Sequence, residues 1–135
     1  MNTGSFFQHS ALVALGGATG AWLRYLAGLV WLRAIGPVAS LSFPWATLSV
    51  NLLGSLAMGL LAGWLARHGH GGEQWRLLLG VGVLGGFTTF SAFSLELVGL
   101  AQRGSLAGAA LYAALSLAGG IAGLIAGLAL ARNFA

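Results

Sequence analysis

Midway through a long apolar stretch the chain reads Gly85-Gly86-Phe87-Thr88-Thr89-Phe90-Ser91-Ala92-Phe93-Ser94. Four hydroxyls and three phenylalanines fall within eight residues, directly after a glycine pair. Such residues are poor helix formers, so the run predicts a break near the middle of a helix. A break leaves carbonyls that can face a cation and N–H groups that can face an anion. In hydrocarbon, bare backbone survives only when buried in protein or lining a wet cavity. The competing reading is a continuous helix whose Ser and Thr bond back to the preceding turn.

Other polar residues fall at the same depth. Thr47, Asn51 and Ser55 are spaced i, i+4, i+8 and share one helix face. An amide in lipid is costly without partners, so Asn51 serves either an interhelical hydrogen bond or a pore. Tyr112 and Ser116 repeat the spacing, with Gly120 completing the row. Glu96 lies near a span end, either as a boundary residue or as the partner of Tyr112 across a short hairpin. Arg24 interrupts an apolar run; it either snorkels to the interface or takes an orienting, vestibule position. His68 and His70 have no third ligand nearby, which argues against a metal site. Gly80-Val81-Gly82-Val83-Leu84-Gly85 matches GxGxxG, but no strand-turn-helix unit surrounds it, so it reads as helix packing.

The elements that must hold these residues are membrane spans. The chain is 58% hydrophobic and 6% charged, whereas soluble domains carry about a quarter charged residues. A span needs roughly 20 mainly apolar residues, and four windows qualify: about 10–32, 45–66, 75–101 and 106–131. They form one all-α integral membrane domain over 1–135, leaving no room for a soluble one. Residues 1–10 carry no Lys or Arg, so the first apolar segment reads as a retained helix and not a cleaved signal. The connectors are Gly36–Phe43, Arg67–Gln74 and Gln102–Ser105, short enough to make neighbouring helices antiparallel. Pro44 suits the first turn of the second helix, where no N–H is needed. The tryptophans fall mostly near span ends, as interfacial aromatics do. There is no cysteine, which excludes disulfides and thiolate metal sites. The net charge of +4 comes from singly scattered arginines and makes no nucleic-acid surface.

Glycine makes up 23 of the 135 residues, many in four-residue rows: Gly16/Gly20, Ser55/Gly59/Gly63, Gly82/Gly86 and Gly119/Gly123/Gly127. Such rows let helix backbones approach closely in lipid. Loop arginines normally set orientation. Here Arg67, Arg76 and Arg132 fall on one side and Arg33 and Arg103 on the other. So small a bias predicts insertion in both orientations and an antiparallel dual-topology homodimer; the alternative is one orientation set by Arg67 and Arg76.

A path lined by Asn, Thr, Ser, Tyr and Phe edges has neutral donors and little fixed charge. Aromatic edges are electropositive, which favours a small anion. A small multidrug-type exporter, the main alternative, would need a carboxylate deep in the first span, and there is none. A structural subunit whose polar residues only join helices is a second alternative. No nucleophile, base and orienting group converge, so an enzyme is not expected.

Taken with Gly16-Gly17-Ala18-Thr19-Gly20-Ala21-Trp22-Leu23-Arg24-Tyr25 and Thr47-Leu48-Ser49-Val50-Asn51-Leu52-Leu53-Gly54, the third-span motif resembles that of the small bacterial fluoride-channel family, known as CrcB or Fluc. The resemblance runs through all four spans and is weakest in the fourth. It implies passive fluoride export that relieves toxicity, through a two-pore antiparallel homodimer in the bacterial cytoplasmic (inner) membrane. It further implies an anion pore built from Asn51, Thr47, Phe90, Phe93, Thr89 and Ser91, with Tyr112, Ser116 and Glu96 along the polar track. The carbonyls of Gly85 and Thr88 would hold a structural sodium ion on the dimer axis. Two departures stand out: Ala92 where the family usually has Ser or Thr, and Gly120 where a hydroxyl would continue the fourth-span track.

Overall fold

The computed structural model describes residues 3–68 and 72–133. His70 lies outside them, and the side chain of His68 is likewise outside the description. Four helices are long and apolar enough to cross a membrane, as the windows predicted. α1 spans Thr3–Ser42, α2 spans Trp45–His68, and the third span divides into α3 (72–87) and α4 (Phe90–Gln102) before α5 (Leu106–Asn133).

α1 differs from its expected bounds. Forty helical residues would reach about 60 Å, twice the roughly 30 Å hydrocarbon thickness. The helix is turned at Gly36, where φ is 76° and ψ 170°. Glycine adopts that left-handed φ without steric cost, and the next residue, Pro37, cannot donate back into the preceding turn. The expected connector Gly36–Phe43 is therefore a second short helical piece, 37–42, folded across one end of the bundle, and not an irregular loop.

α2 starts as expected after Pro44. Trp45 stacks on Trp31 with ring centroids 5.9 Å apart, and the Trp31 indole N–H donates to Ser49 Oγ at 2.9 Å. At the opposite end of α2, Trp64 meets Trp75 edge-on at 6.3 Å. Nineteen residues at 1.5 Å separate Trp45 from Trp64, or about 29 Å. That matches the hydrocarbon thickness and puts an aromatic pair at each interface.

The glycine rows close-pack in two matched pairs. A Cβ on Gly82 would stand 2.8 Å from Gly16 Cα, and one on Gly86 would stand 3.0 Å from Gly17 Cα, so α1 lies backbone to backbone on α3. A Cβ on Gly59 would run into the Leu124 carbonyl, and one on Gly127 into that of Leu56, so α2 lies equally close on α5. Gly82 is buried in the contact with α1 and Gly80 against the Leu61 side chain of α2, the packing role expected for the GxGxxG match.

The third span joins the two pairs. Its first half packs along α1 and its second half along α5. Arg76–Leu84 is wound as a wider π-helix, with the Gly85 N–H bonded to the Gly80 carbonyl five residues back. π turns are uncommon and cluster near functional sites. The break lies within the run that predicted it, although Gly85 itself stays helical at φ −64°, ψ −38°. Extended backbone occurs instead at Thr88 (ψ 160°) and Thr89 (φ −153°, ψ 126°). β-Branched threonines accept this conformation readily, while Gly86 before them is used for close approach to Gly17 of α1. α4 ends in a Schellman turn: Ser105 N–H bonds the Leu100 carbonyl, Gly104 N–H bonds that of Ala101, and Gly104 has φ 81°. This is the tight final hairpin, and it sets α4 beside α5. The small core between them is Leu48, Phe93, Leu100, Ala109 and Tyr112.

Candidate functional site

The break is held from two sides. Asn51, on α2, offers its amide edge to Thr89: Nδ2 donates to the Thr89 carbonyl at 3.0 Å, and Oδ1 accepts from the Thr89 N–H at 2.9 Å. One side chain thus replaces the partner that the Thr89 N–H loses when the helix opens and adds a donor to the carbonyl, which as N-cap already takes the first bond of α4. From α1, Arg24 donates to the Thr88 carbonyl at 3.2 Å. The guanidinium neither reaches for the interface nor stands free; it binds the broken backbone. Thr89 Oγ1 then caps α4 by accepting from the Ala92 N–H at 3.2 Å, and shares a hydrogen bond with Ser91 Oγ at 3.2 Å. Back-bonding of the kind weighed for a continuous helix also occurs, from Thr88 Oγ1 to Leu84 and from Ser94 Oγ to Phe90, on either side of the opening.

Beside the break lies an open groove of about 320 Å³ lined by Asn51, Ser55, Thr89, Phe90, Phe93 and Ser116. Phe90 is 76% exposed while Phe93 is buried, with their rings 5.7 Å apart. Ser116 Oγ is buried and has no hydrogen-bond partner. Behind Phe93, its ring 5.1 Å away, sits Tyr112, which is fully buried. The Tyr112 hydroxyl donates to Glu96 Oε2 at 2.7 Å, and Thr47 Oγ1 donates to Oε1 at 2.7 Å. Glu96 does meet Tyr112 across the hairpin, and Thr47 joins them. On its other side Glu96 lines a second cavity, of about 400 Å³.

The polar residues singled out in the sequence therefore form one line. It runs from Ser116 and the Asn51–Thr89 pair, past Phe90 and Phe93, to Tyr112, Glu96 and Thr47. Hydroxyl and amide donors along it suit a small anion. Gly85 and Thr88 supply carbonyls of the kind a hard cation takes. In an unbroken helix the Gly85 carbonyl would receive the Thr89 N–H, which here goes to Asn51. The Thr88 carbonyl receives Arg24 but has a second lone pair. Both carbonyls are of the type a hard cation takes, and two of them make only part of a coordination shell.

Two features escaped the sequence reading. Ser55 faces Gly120, where a Cβ would stand 3.4 Å from Ser55 Oγ; the α2 hydroxyl thus sits beside the place where the α5 row lacks one. The link from Arg24 to Thr88 spans 64 residues, and no local pattern announces it.

Residues 11–128 match the family described as CrcB-like protein, Camphor Resistance (CrcB). A fluoride-specific ion channel FluC of Novosphingobium aromaticivorans is 58% identical over 126 residues, covering 93% of this chain and 98% of the relative. The protein of the same name from Erythrobacter litoralis is 56% identical over 91% of each chain. That from Sphingopyxis alaskensis is 58% identical over 74% of this chain and 76% of its own. With a family match reaching into all four spans, and relatives aligned over most of their own lengths, this chain belongs to the CrcB-like family.

Proposed function

We propose that the chain is a fluoride-selective channel that lets fluoride leave the cell passively and so relieves its toxicity. It is a channel subunit and not an enzyme. The names of relatives more than half identical support this reading. The observation that carries it is the groove beside the broken helix, where an exposed Phe90, a buried Ser116 hydroxyl without a partner and the Asn51 amide converge. Fluoride accepts hydrogen bonds strongly and is small; this line offers hydroxyl and amide donors and electropositive ring edges.

The working unit in this reading is an antiparallel dual-topology homodimer of single four-helix domains in the bacterial cytoplasmic (inner) membrane. The near balance of arginines at the two ends supports it. So does the groove, which is open on the side where Phe90 projects and is closed by a second copy. Phe90 and Phe93 line each pore, Asn51, Thr89 and Ser91 flank them, and Tyr112, Ser116, Glu96 and Thr47 extend the track. The Gly85 and Thr88 carbonyls of two copies would together hold a sodium ion, which would supply fixed positive charge there. Arg24 orients the Thr88 carbonyl from outside that shell.

The test is flux from liposomes loaded with fluoride or with chloride. Rapid fluoride efflux with little chloride efflux is expected; a well-folded dimer that passes no fluoride refutes the assignment. A topology reporter on the C-terminus is expected on both sides of the membrane, and one found on a single side rules out dual insertion.

A further inference from the structure

The second cavity, of about 400 Å³, lies where the turned end of α1, the start of α2 and the end of α4 meet. Gly36 sends residues 37–42 across its mouth, so Ser40 and Leu41 become part of its wall. Trp31, Glu96, Gly99 and Arg103 line it as well. The Arg103 side chain folds back over its own helix: a Cβ on Gly99 would lie 3.7 Å from Nη1. Nη2 donates to the Leu41 carbonyl at 3.4 Å. The guanidinium thus ties the α1 tail down through a neutral carbonyl and keeps its full positive charge at the cavity. Glu96, the acid at the cavity, has both oxygens engaged by Thr47 and Tyr112.

Ser40 supplies a second, independent observation. Its Oγ is buried and has no hydrogen-bond partner, and Ser116 Oγ is in the same condition. A buried polar group without a partner points to a bound water or ion. The two such hydroxyls stand at opposite ends of the polar line, Ser116 in the groove and Ser40 in the cavity.

We propose that this cavity is an anion antechamber, in which Arg103 and the Ser40 hydroxyl take up a halide-sized anion and deliver it to the Thr47–Glu96–Tyr112 end of the track. The inference rests on the channel reading. Arg103 attracts the anion over a distance and offsets the negative charge of Glu96 in the same wall. Ser40 gives the anion a short-range donor in place of water. At the inner end the Thr47 and Tyr112 hydroxyls can rotate, so an arriving anion competes with Glu96 for them.

The experiment measures fluoride efflux from liposomes as a function of fluoride concentration and ionic strength. At low salt, R103Q is expected to raise the half-saturating fluoride concentration on the order of ten-fold, and R103K to restore most of it. In about 1 M impermeant salt, where the screening length falls to about 3 Å, the difference between wild type and R103Q shrinks. A merely structural arginine would show no such salt dependence. The chain has no cysteine, so S40C provides a unique thiol, and labelling it with a charged water-soluble reagent is expected to block flux. R103Q indistinguishable from wild type at low salt overturns the proposal, as does fully labelled S40C with undiminished flux. Should R103Q fail to fold, the S40C result decides. Wild-type liposomes that pass no fluoride overturn the channel reading itself, an outcome separate from either of these.

Discussion

Replacing Asn51 tests whether one amide holds the break open in its observed shape. Its two hydrogen bonds, 3.0 and 2.9 Å, satisfy both backbone groups of Thr89. Asn51→Leu keeps the branched shape and removes both hydrogen-bonding atoms. A buried group left unsatisfied costs about 1–3 kcal/mol, which sets the upper range for the Thr89 N–H, while the carbonyl keeps the first bond of α4. Asn51 and Thr89 are only half-buried beside an open groove, so water reaches them. Interhelical hydrogen bonds in membranes average about 0.6 kcal/mol. The lower scale governs, and the expected loss is about 1–2 kcal/mol. Asn51→Asp separates the two bonds, because it keeps an acceptor for the Thr89 N–H but turns a second oxygen towards the Thr89 carbonyl. It is expected to be as harmful as Leu while ionised. Ser116→Ala is the control, since its hydroxyl has no partner to lose. Equilibrium unfolding in detergent micelles measures all three, and liposome flux shows whether Asn51→Leu also slows fluoride. An Asn51→Leu protein as stable as Ser116→Ala would show that the amide does not hold the break.

Phe90→Ala removes a ring that is 76% exposed in the single chain, so folding of the chain changes by less than about 0.5 kcal/mol; flux is expected to fall while the dimer persists on size exclusion. Tyr112→Phe and Thr47→Val each take one of two donors from Glu96. Hydrogen bonds to charged groups are worth about 1.5–3 kcal/mol, and the double variant is expected to lose more than the sum, measured as a thermodynamic cycle in unfolding. Gly20→Ala drives a methyl into the Val83 carbonyl, whereas Gly17→Ala meets nothing within 4 Å. The first is expected to reduce the yield of monodisperse protein and the second to leave it unchanged, although they lie three residues apart on one helix.

Much of this was legible in the residue order, for physical reasons. Lipid leaves a spanning chain few options, so apolar run length alone located the four helices. The four-residue glycine rows are local patterns, and they meant close packing because glycine has no side chain to hold backbones apart. Thr88 and Thr89 were marked as part of a break by their neighbours. The break fell on Thr88 and Thr89, because Gly86 is packed against Gly17 of α1 and because Asn51 bonds the Thr89 N–H. That competition lies between helices distant in sequence, and no window contains it. The turned end of α1 was misjudged for a related reason: Gly36-Pro37 does interrupt the helix, but the segment beyond it refolds.

Composition and spacing by themselves determined a four-span bundle, a disturbed third helix and a short inventory of polar side chains at membrane depth. Only the tertiary structure decided that these side chains form one continuous line. Hydrogen bonds such as Asn51 to Thr89, Arg24 to Thr88 and Tyr112 to Glu96 join residues 16 to 64 positions apart. Their geometry depends on which glycine rows pair, and pairing is a contest of packing energies among whole helices. A hydrogen bond needs its partners placed to within a few tenths of an ångström, and that precision comes from the assembled bundle.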